Sequence, residues 1–135
     1  MIFNWKKKIL NPIHIILDRD SVCAGDDVYS HSAEFDMDSG ATITDLLKKV
    51  RKIGFLALIQ GGKATWVISD TRTEIAVIAQ QWSSPKFLID ENTEICDLNM
   101  NGDAVKFYFK YFTQQDPEIV YNERLLIKSK TQLNC

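Results

Sequence analysis

The sequence predicts an α+β fold in which one principal helix packs on a mainly antiparallel β-sheet. Two patterns lead to this prediction. A single segment has the hydrophobic spacing of an amphipathic helix, whereas most other apolar segments have the length and composition of strands. Two predicted strands precede the helix and three to five follow it. Because strands and helices do not alternate in this order, one sheet covered by a helix is favoured.

The helix prediction covers residues 42–53, where apolar residues recur at i, i+3, i+4, i+7 and i+10 and form one stripe. Thr42 is placed to cap the N-terminus, and Asp45 three residues later is in the position of a capping box. Gly54 follows where a C-terminal glycine stop is expected. The stripe that we expect to face the sheet consists of Ile43, Leu46, Leu47, Val50 and Ile53.

The strand predictions divide the other apolar segments at residues that favour turns. Residues 119–127 fit either a helix or a strand. The predicted turns fall at residues 24–27, 61–62, 70–73 and 99–103, and the predicted strands cover residues 13–17, 28–37, 55–60, 64–69, 74–82, 86–89 and 105–112.

The order of these elements is similar to a β-grasp arrangement, β-β-α-β-β-β, in which a hairpin and a helix precede the remaining strands. The chain has 135 residues, of which 45% are hydrophobic and 25% are charged, as is usual for one globular domain. We therefore predict a single domain over residues 1–135. Its ends, about residues 1–10 and 128–135, are expected to be frayed.

The cysteines and the N-terminus predict a reducing compartment. Cys23, Cys96 and Cys135 are odd in number and form no CxxC pair, which favours free thiols over a disulfide framework or a zinc site. The lysine-containing first ten residues are followed by an apolar run of only five residues, which is too short for a signal peptide. No segment approaches the roughly 20 apolar residues of a membrane span. We expect a cytoplasmic protein that makes no contact with a membrane.

Acidic residues are concentrated before the predicted helix. Residues 11–45 contain eight acidic residues and a single basic residue, Arg19, so this region has a net charge of −7, whereas the whole chain has −2. A field of this sign repels phosphate backbones and attracts basic partners. The alternative is that these acids are ordinary solvated loop residues. The candidate contact residues for a partner are Asp18, Asp20, Asp26, Asp27, Asp36 and Asp38.

One segment resembles a catalytic motif. The residues IILDRDSV, from Ile15 to Val22, resemble the first motif of haloacid-dehalogenase-type phosphotransferases. The resemblance implies that Asp18 attacks phosphorus, that Asp20 acts as the acid and base, and that magnesium is bound. The chain departs from that family because a turn follows the motif, the acidic pair at residues 26–27 comes too early, and the elements do not alternate. We therefore expect no catalytic residues, no metal site and no cofactor.

Other site patterns are incomplete. A calcium loop that started at Asp18 would have Val22 and Cys23 where an acid and a glycine belong. Nothing in the sequence orients His14 and His31 toward each other for acid–base catalysis. No glycine pattern of a nucleophile elbow or a P-loop is present.

Lysines and aromatic residues alternate over residues 105–112, as they do in platforms on which nucleic-acid bases stack. However, Phe107, Phe109 and Tyr111 share one strand face, which is more typical of a protein core, and the net charge is negative. We expect no nucleic-acid partner.

A lone α+β domain without a catalytic set, carrying the acidic segment RDSVCAGDDV, resembles small bacterial immunity proteins. These are the cognate inhibitors of contact-dependent growth-inhibition toxins and related polymorphic toxins. The resemblance implies a cytoplasmic inhibitor that occludes a toxin, often a basic nuclease domain. We expect a protein-binding inhibitor of a basic toxin domain, with no enzymatic activity. The alternatives are the phosphotransferase and a non-catalytic adaptor or structural subunit.

Overall fold

The computed structural model describes residues 12–22, 31–57, 64–98, 100–112 and 115–133. In this part of the chain, six strands and two α-helices form the fold, and a short 3₁₀ helix at Ile95–Asp97 precedes the last strand. In chain order the elements are β1 (Ile13–Arg19), β2 (Ser32–Met37), α1 (Ile43–Lys52), β3 (Thr65–Ser69), β4 (Glu74–Ala79), β5 (Lys86–Phe87), β6 (Ala104–Phe112) and α2 (Pro117–Leu133).

The strands form one mixed sheet with the order β2-β1-β6-β3-β4-β5. Among these strands only β1 and β6 run parallel, and the other neighbouring pairs are antiparallel. The predicted α+β class and the mainly antiparallel sheet are confirmed. The predicted succession of two strands, a helix and further strands is also present, and α2 is added at its end.

Helix α1 forms as the sequence predicts, because the residues that cap its N-terminus are close together in the sequence. The Thr42 side chain accepts a hydrogen bond from the Asp45 backbone N–H, and the Asp45 side chain accepts one from the Thr42 N–H. The helix ends at Lys52, and Gly54 adopts a φ of 65°, which favours glycine. Four residues of the predicted stripe are buried, but Ile53 is 42% exposed, because it is the C-cap residue and lies beyond the last turn that faces the sheet.

The segment after α1 differs from the prediction. Residues 55–57 are not a strand, because the Phe55 N–H donates to the Val50 carbonyl and closes the end of the helix. The Phe55 ring instead packs edge-on against Phe109, with the ring centroids 5.6 Å apart. Residues 58–63, which include the predicted glycine turn, lie outside the described residues. Strand β4 ends three residues before the predicted end, because the Trp82 N–H donates to the Ala79 carbonyl in a turn.

The C-terminal segment is a helix. Pro117 begins α2, where proline is favoured because the first turn needs no hydrogen bond from its nitrogen. The Asp116 side chain accepts the Glu118 N–H and supports this start. The segment from residue 128, which we predicted to be frayed, continues the helix to Leu133. The N-terminal segment of about residues 1–10, also predicted to be frayed, lies outside the described residues.

Two apolar layers lie on opposite faces of the sheet. The larger one is shared with α1 and includes Ile15, Trp66 and Phe107. The smaller one is covered by α2, where Val120 packs with Val67 of β3 and Val77 of β4. The α2 side of the sheet therefore divides into a covered half on β3, β4 and β5 and a half on β2, β1 and β6. We call the second part the open half, because its side chains are exposed or half-buried.

The structure also bears on the expectations about the cysteines and about membrane spans. Cys96 is a free, exposed thiol, whereas Cys23 and Cys135 lie outside the described residues. Neither of the described helices is long and apolar enough to cross a membrane.

Candidate functional site

The structure brings several of the predicted contact residues to the open half. Asp18 of β1 and Asp36 of β2 point to this side of the sheet, and Asp38 follows directly after β2. Asp20 lies directly after β1. The predicted contacts Asp26 and Asp27 lie outside the described residues.

Strand alternation explains this placement. Along β1, Ile13, Ile15 and Leu17 are buried toward α1, so the intervening residues point to the open half. The antiparallel register places His14 opposite Asp36 and Ile16 opposite Glu34. Because β2 is an edge strand in the order of the described strands, its carboxylates lie at the rim of the sheet.

His14 lies between two carboxylates of β2. Its Nδ1 is 2.8 Å from Asp36 Oδ1, and its Nε2 is 2.6 Å from Glu34 Oε1. Both ring nitrogens can donate only in the protonated imidazole, so the hydrogen bond to Asp36, followed by that to Glu34, raises the pKa of His14. The predicted site omitted Glu34. Its position two residues before Asp36 in a predicted strand was the available signal, because residues i and i+2 share a face.

Asp20 links the end of β1 to β6. Its carboxylate accepts a hydrogen bond from the Tyr108 hydroxyl and another, at 2.9 Å, from the Tyr111 N–H. The hydrogen bond to Asp20 is the main cause that raises the pKa of Tyr108 to about 12, and partial burial contributes as well. Asp18 accepts the Arg19 N–H at 2.9 Å. Both aspartates of the phosphotransferase-like motif are therefore engaged by hydrogen bonds within the chain.

The framework around that motif also differs from the one that the phosphotransferase resemblance implies. Strand β1 has a parallel neighbour on one side only, and most of the sheet is antiparallel, so successive βαβ units are not observed among the described elements. No group of three or more histidine, cysteine, aspartate or glutamate side chains suited to a metal ion occurs within the described ranges.

Strand β6 contributes residues of the opposite charge to the open half. Lys106 and Lys110 are exposed on this face, so the charge changes sign between β2 and β6. Phe107 and Phe109 are fully buried on the α1 side, as the core interpretation of this segment predicted. Tyr108 is 37% exposed on the open half.

A groove of about 1260 Å³ lies on the other side of the sheet, between the end of α1 and strands β3 to β5. Leu47, Val50 and Ile78 contribute to its apolar walls, and Arg19 lines it although only 5% of that residue is exposed. The Arg19 Nε donates to the Phe55 carbonyl at 2.9 Å, and the guanidinium lies 5.8 Å from the ring centroid of Phe55. No pattern in the sequence indicates this groove, because its walls come from segments that are distant along the chain.

Comparisons with protein-family models, with curated proteins and with solved structures find no match to this chain.

Proposed function

We propose that this protein is a cytoplasmic, non-catalytic inhibitor that binds a basic protein surface through the open half of its sheet. The class of partner is a bacterial toxin domain, as for immunity proteins. The observation that carries the proposal is the pair of exposed carboxylates on the edge strand, Glu34 and Asp36, with Asp18 on the neighbouring strand and Asp38 directly after β2.

The spacing of these groups supports recognition of a basic surface. Residues two apart on a strand are separated by about 6.5–7 Å, and residues on adjacent strands by about 5 Å. Glu34 and Asp36 therefore form one patch, and two carboxylates outnumber the single positive charge that His14 carries when it is protonated. They are 61% and 53% exposed at the side chain, so a partner can reach them.

The backbone beneath the patch is held in place. Strand β2, which carries Glu34 and Asp36, pairs with β1 over its whole length, and β1 pairs in turn with β6, so Asp18 lies on an inner strand of the sheet. A surface that is ordered before binding loses little conformational freedom on binding. Complementary charges also speed association and exclude acidic partners. These properties suit an inhibitor that must find its toxin quickly.

The test is co-expression followed by binding kinetics. A toxin domain that this chain neutralises is first sought through protection of host growth, and purified toxin is then used to measure association at two salt concentrations. We expect Glu34→Lys with Asp36→Lys to lower the association rate by about tenfold or more at low salt and to weaken its salt dependence. Reversal of Asp26 and Asp27, the predicted contacts outside the described residues, is measured in the same assay.

The matched control is Glu91→Lys with Asp97→Lys, which makes the same change in charge on the segment between β5 and β6. Circular dichroism checks that each variant is folded. Equal association rates for the two double variants would place the interface elsewhere. The basic residues on the outer face of α1, Lys48, Lys49, Arg51 and Lys52, would then be the next surface to reverse.

A further inference from the structure

The outer side of α2 carries apolar residues that are exposed on the surface of the chain. The inner side of the helix packs on the covered half of the sheet through Val120, which is fully buried. On the outer side, Ile119 and Leu126 are each 56% exposed and Ile127 is 47% exposed. Single exposed apolar residues are common on proteins, whereas a contiguous exposed apolar patch is a candidate contact surface.

These residues share one face with two charges of opposite sign. At 3.6 residues per turn, Ile119, Glu123, Leu126, Ile127 and Lys130 fall within an arc of about 100° on the helix. We call these five residues the outer face of α2. Glu123 and Lys130 are both exposed, and seven residues, or about 10 Å, separate them along the helix.

We propose that the outer face of α2 binds a second copy of the chain, with the two helices antiparallel. A two-fold axis that passes between residues 126 and 127 places Leu126 of one copy opposite Ile127 of the other. The same axis places Glu123 opposite Lys130, and symmetry forms each of these contacts twice. The surface is thus complementary to itself, as a closed two-fold dimer requires.

The charge pattern favours a second copy over the partner inferred for the open half. One acid and one base leave the outer face of α2 without net charge, so it has no general preference for a basic or an acidic protein. Their symmetric placement about the axis does prefer an antiparallel copy. Parallel helices in register would instead bring Glu123 to Glu123 and Lys130 to Lys130, and like charges would repel.

The experiment is sedimentation equilibrium of the full chain from low micromolar to submillimolar concentrations. We expect a dimer that dissociates on dilution, because one helix face on each copy buries less area than a standard stable interface. Leu126→Glu should raise the dissociation constant of the dimer by at least about tenfold. Leu125→Glu is the matched control. Leu125 is 38% exposed but lies about 150° from the centre of the outer face, so this variant should dimerise like the wild type.

Charge exchange tests the antiparallel pairing. Glu123→Lys alone and Lys130→Glu alone should each weaken the dimer. An equimolar mixture of these two variants should form a heterodimer, because one copy then carries two lysines on this face and the other carries two glutamates. The double variant should dimerise again by itself. A chain that stays monomeric at every concentration, or a dimer that Leu125→Glu and Leu126→Glu weaken equally, would overturn the proposal, as would a mixture that gives no heterodimer.

Discussion

The two halves of the sheet on the α2 side are both built from paired strands, but their side chains differ in polarity. In the covered half, Val67 and Val77 are 2% and 0% exposed and lie beneath Val120. In the open half, the positions on the same side of the inner strand β1 are His14, Ile16 and Asp18, and all three are half-buried. The difference shows that the layer above a strand, rather than the strand itself, determines which residues its outer positions tolerate.

The two halves can be recognised in the strand sequences. Strand β4 reads EIAVIA and is apolar on both faces, because α1 lies on one side and α2 on the other. In β1, which reads IHIILDR, burial alternates because only its α1 side faces a core, although Ile15, Ile16 and Leu17 are consecutive apolar residues. The polar residues His14 and Asp18 on its other face, which have no equivalent inside β4, indicate that no second layer among the described residues covers it.

The largest expected effect comes from the same substitution in the two halves. Val77→Asn should lower the free energy of unfolding by about 3–5 kcal/mol, since it removes a buried side chain and buries an amide without partners. Ile16→Asn should cost about 1 kcal/mol or less, because the amide remains in contact with water. Urea denaturation of both variants measures the difference.

Comparable losses in the two variants would mean that the open half is covered in solution, and the comparison would fail. Near-native secondary structure by circular dichroism, before denaturant is added, shows that each variant starts from the folded state. A change in the denaturant slope rather than in the midpoint would indicate an altered denatured or native state, so slopes are compared first.

The sequence predicts best the elements that are determined by residues close together in the chain. The capping box of α1 involves Thr42 and Asp45, three residues apart, and its stripe is readable without knowledge of any partner. The type of the last element was not predictable in this way, because Leu125, Leu126 and Ile127 are consecutive and fit a strand as well as a helix. The exposure of all three shows why the usual amphipathic pattern is missing.

The sequence predicts several residues of the candidate site, but it does not predict that they lie together in the structure. The excess of acid in residues 11–45 singled out Asp18 and Asp36, but their common face depends on the register of β1 and β2. The hydrogen bond between Asp20 and Tyr108 joins residues that are 88 positions apart, and it requires the parallel pairing of β1 with β6. No local pattern in the sequence specifies such a contact.

A smaller loss of stability is expected for substitution of Asp20, which joins the end of β1 to β6 by hydrogen bonds. Asp20→Ala removes the acceptor for the Tyr108 hydroxyl and the Tyr111 N–H, and it should lower the free energy of unfolding by about 1–2 kcal/mol. It should also return the pKa of Tyr108 from about 12 toward its usual value near 10, since the hydrogen bond to Asp20 is the main cause of the rise. Ultraviolet titration of tyrosine ionisation measures this change.

Tyr108→Phe identifies the titrating group in that experiment. Only the signal lost in this variant belongs to Tyr108, which separates it from the other three tyrosines. If the Tyr108 signal titrates at the same pH in Asp20→Ala and in the wild type, the hydrogen bond does not form in solution.

The smallest expected effect is a pH dependence that arises at His14 in the open half. Hydrogen bonds to Asp36 and Glu34 raise the pKa of His14 above 6.5 in the folded state. The folded state therefore binds the proton more tightly than the unfolded chain does. The stability that this cluster contributes is fully present below about pH 6.5 and is lost as the pH rises through the folded-state pKa. His14→Gln should flatten this part of the stability curve, while Val77→Ala should shift the whole curve without changing its shape.

NMR titration of the His14 ring tests the cause directly, and His31→Gln assigns the signal, because the chain contains two histidines. Asp36→Asn should lower the pKa of His14 more than Glu34→Gln does, since the bond to Asp36 is the larger cause of the rise. A His14 pKa at or below 6.5 in the wild type would show that the cluster does not form. The opposite order for the two variants would place the stronger partner at Glu34. A protonated His14 offsets one of its two carboxylates, so the first result would also make the rim of the sheet more negative at a given pH than the raised pKa implies.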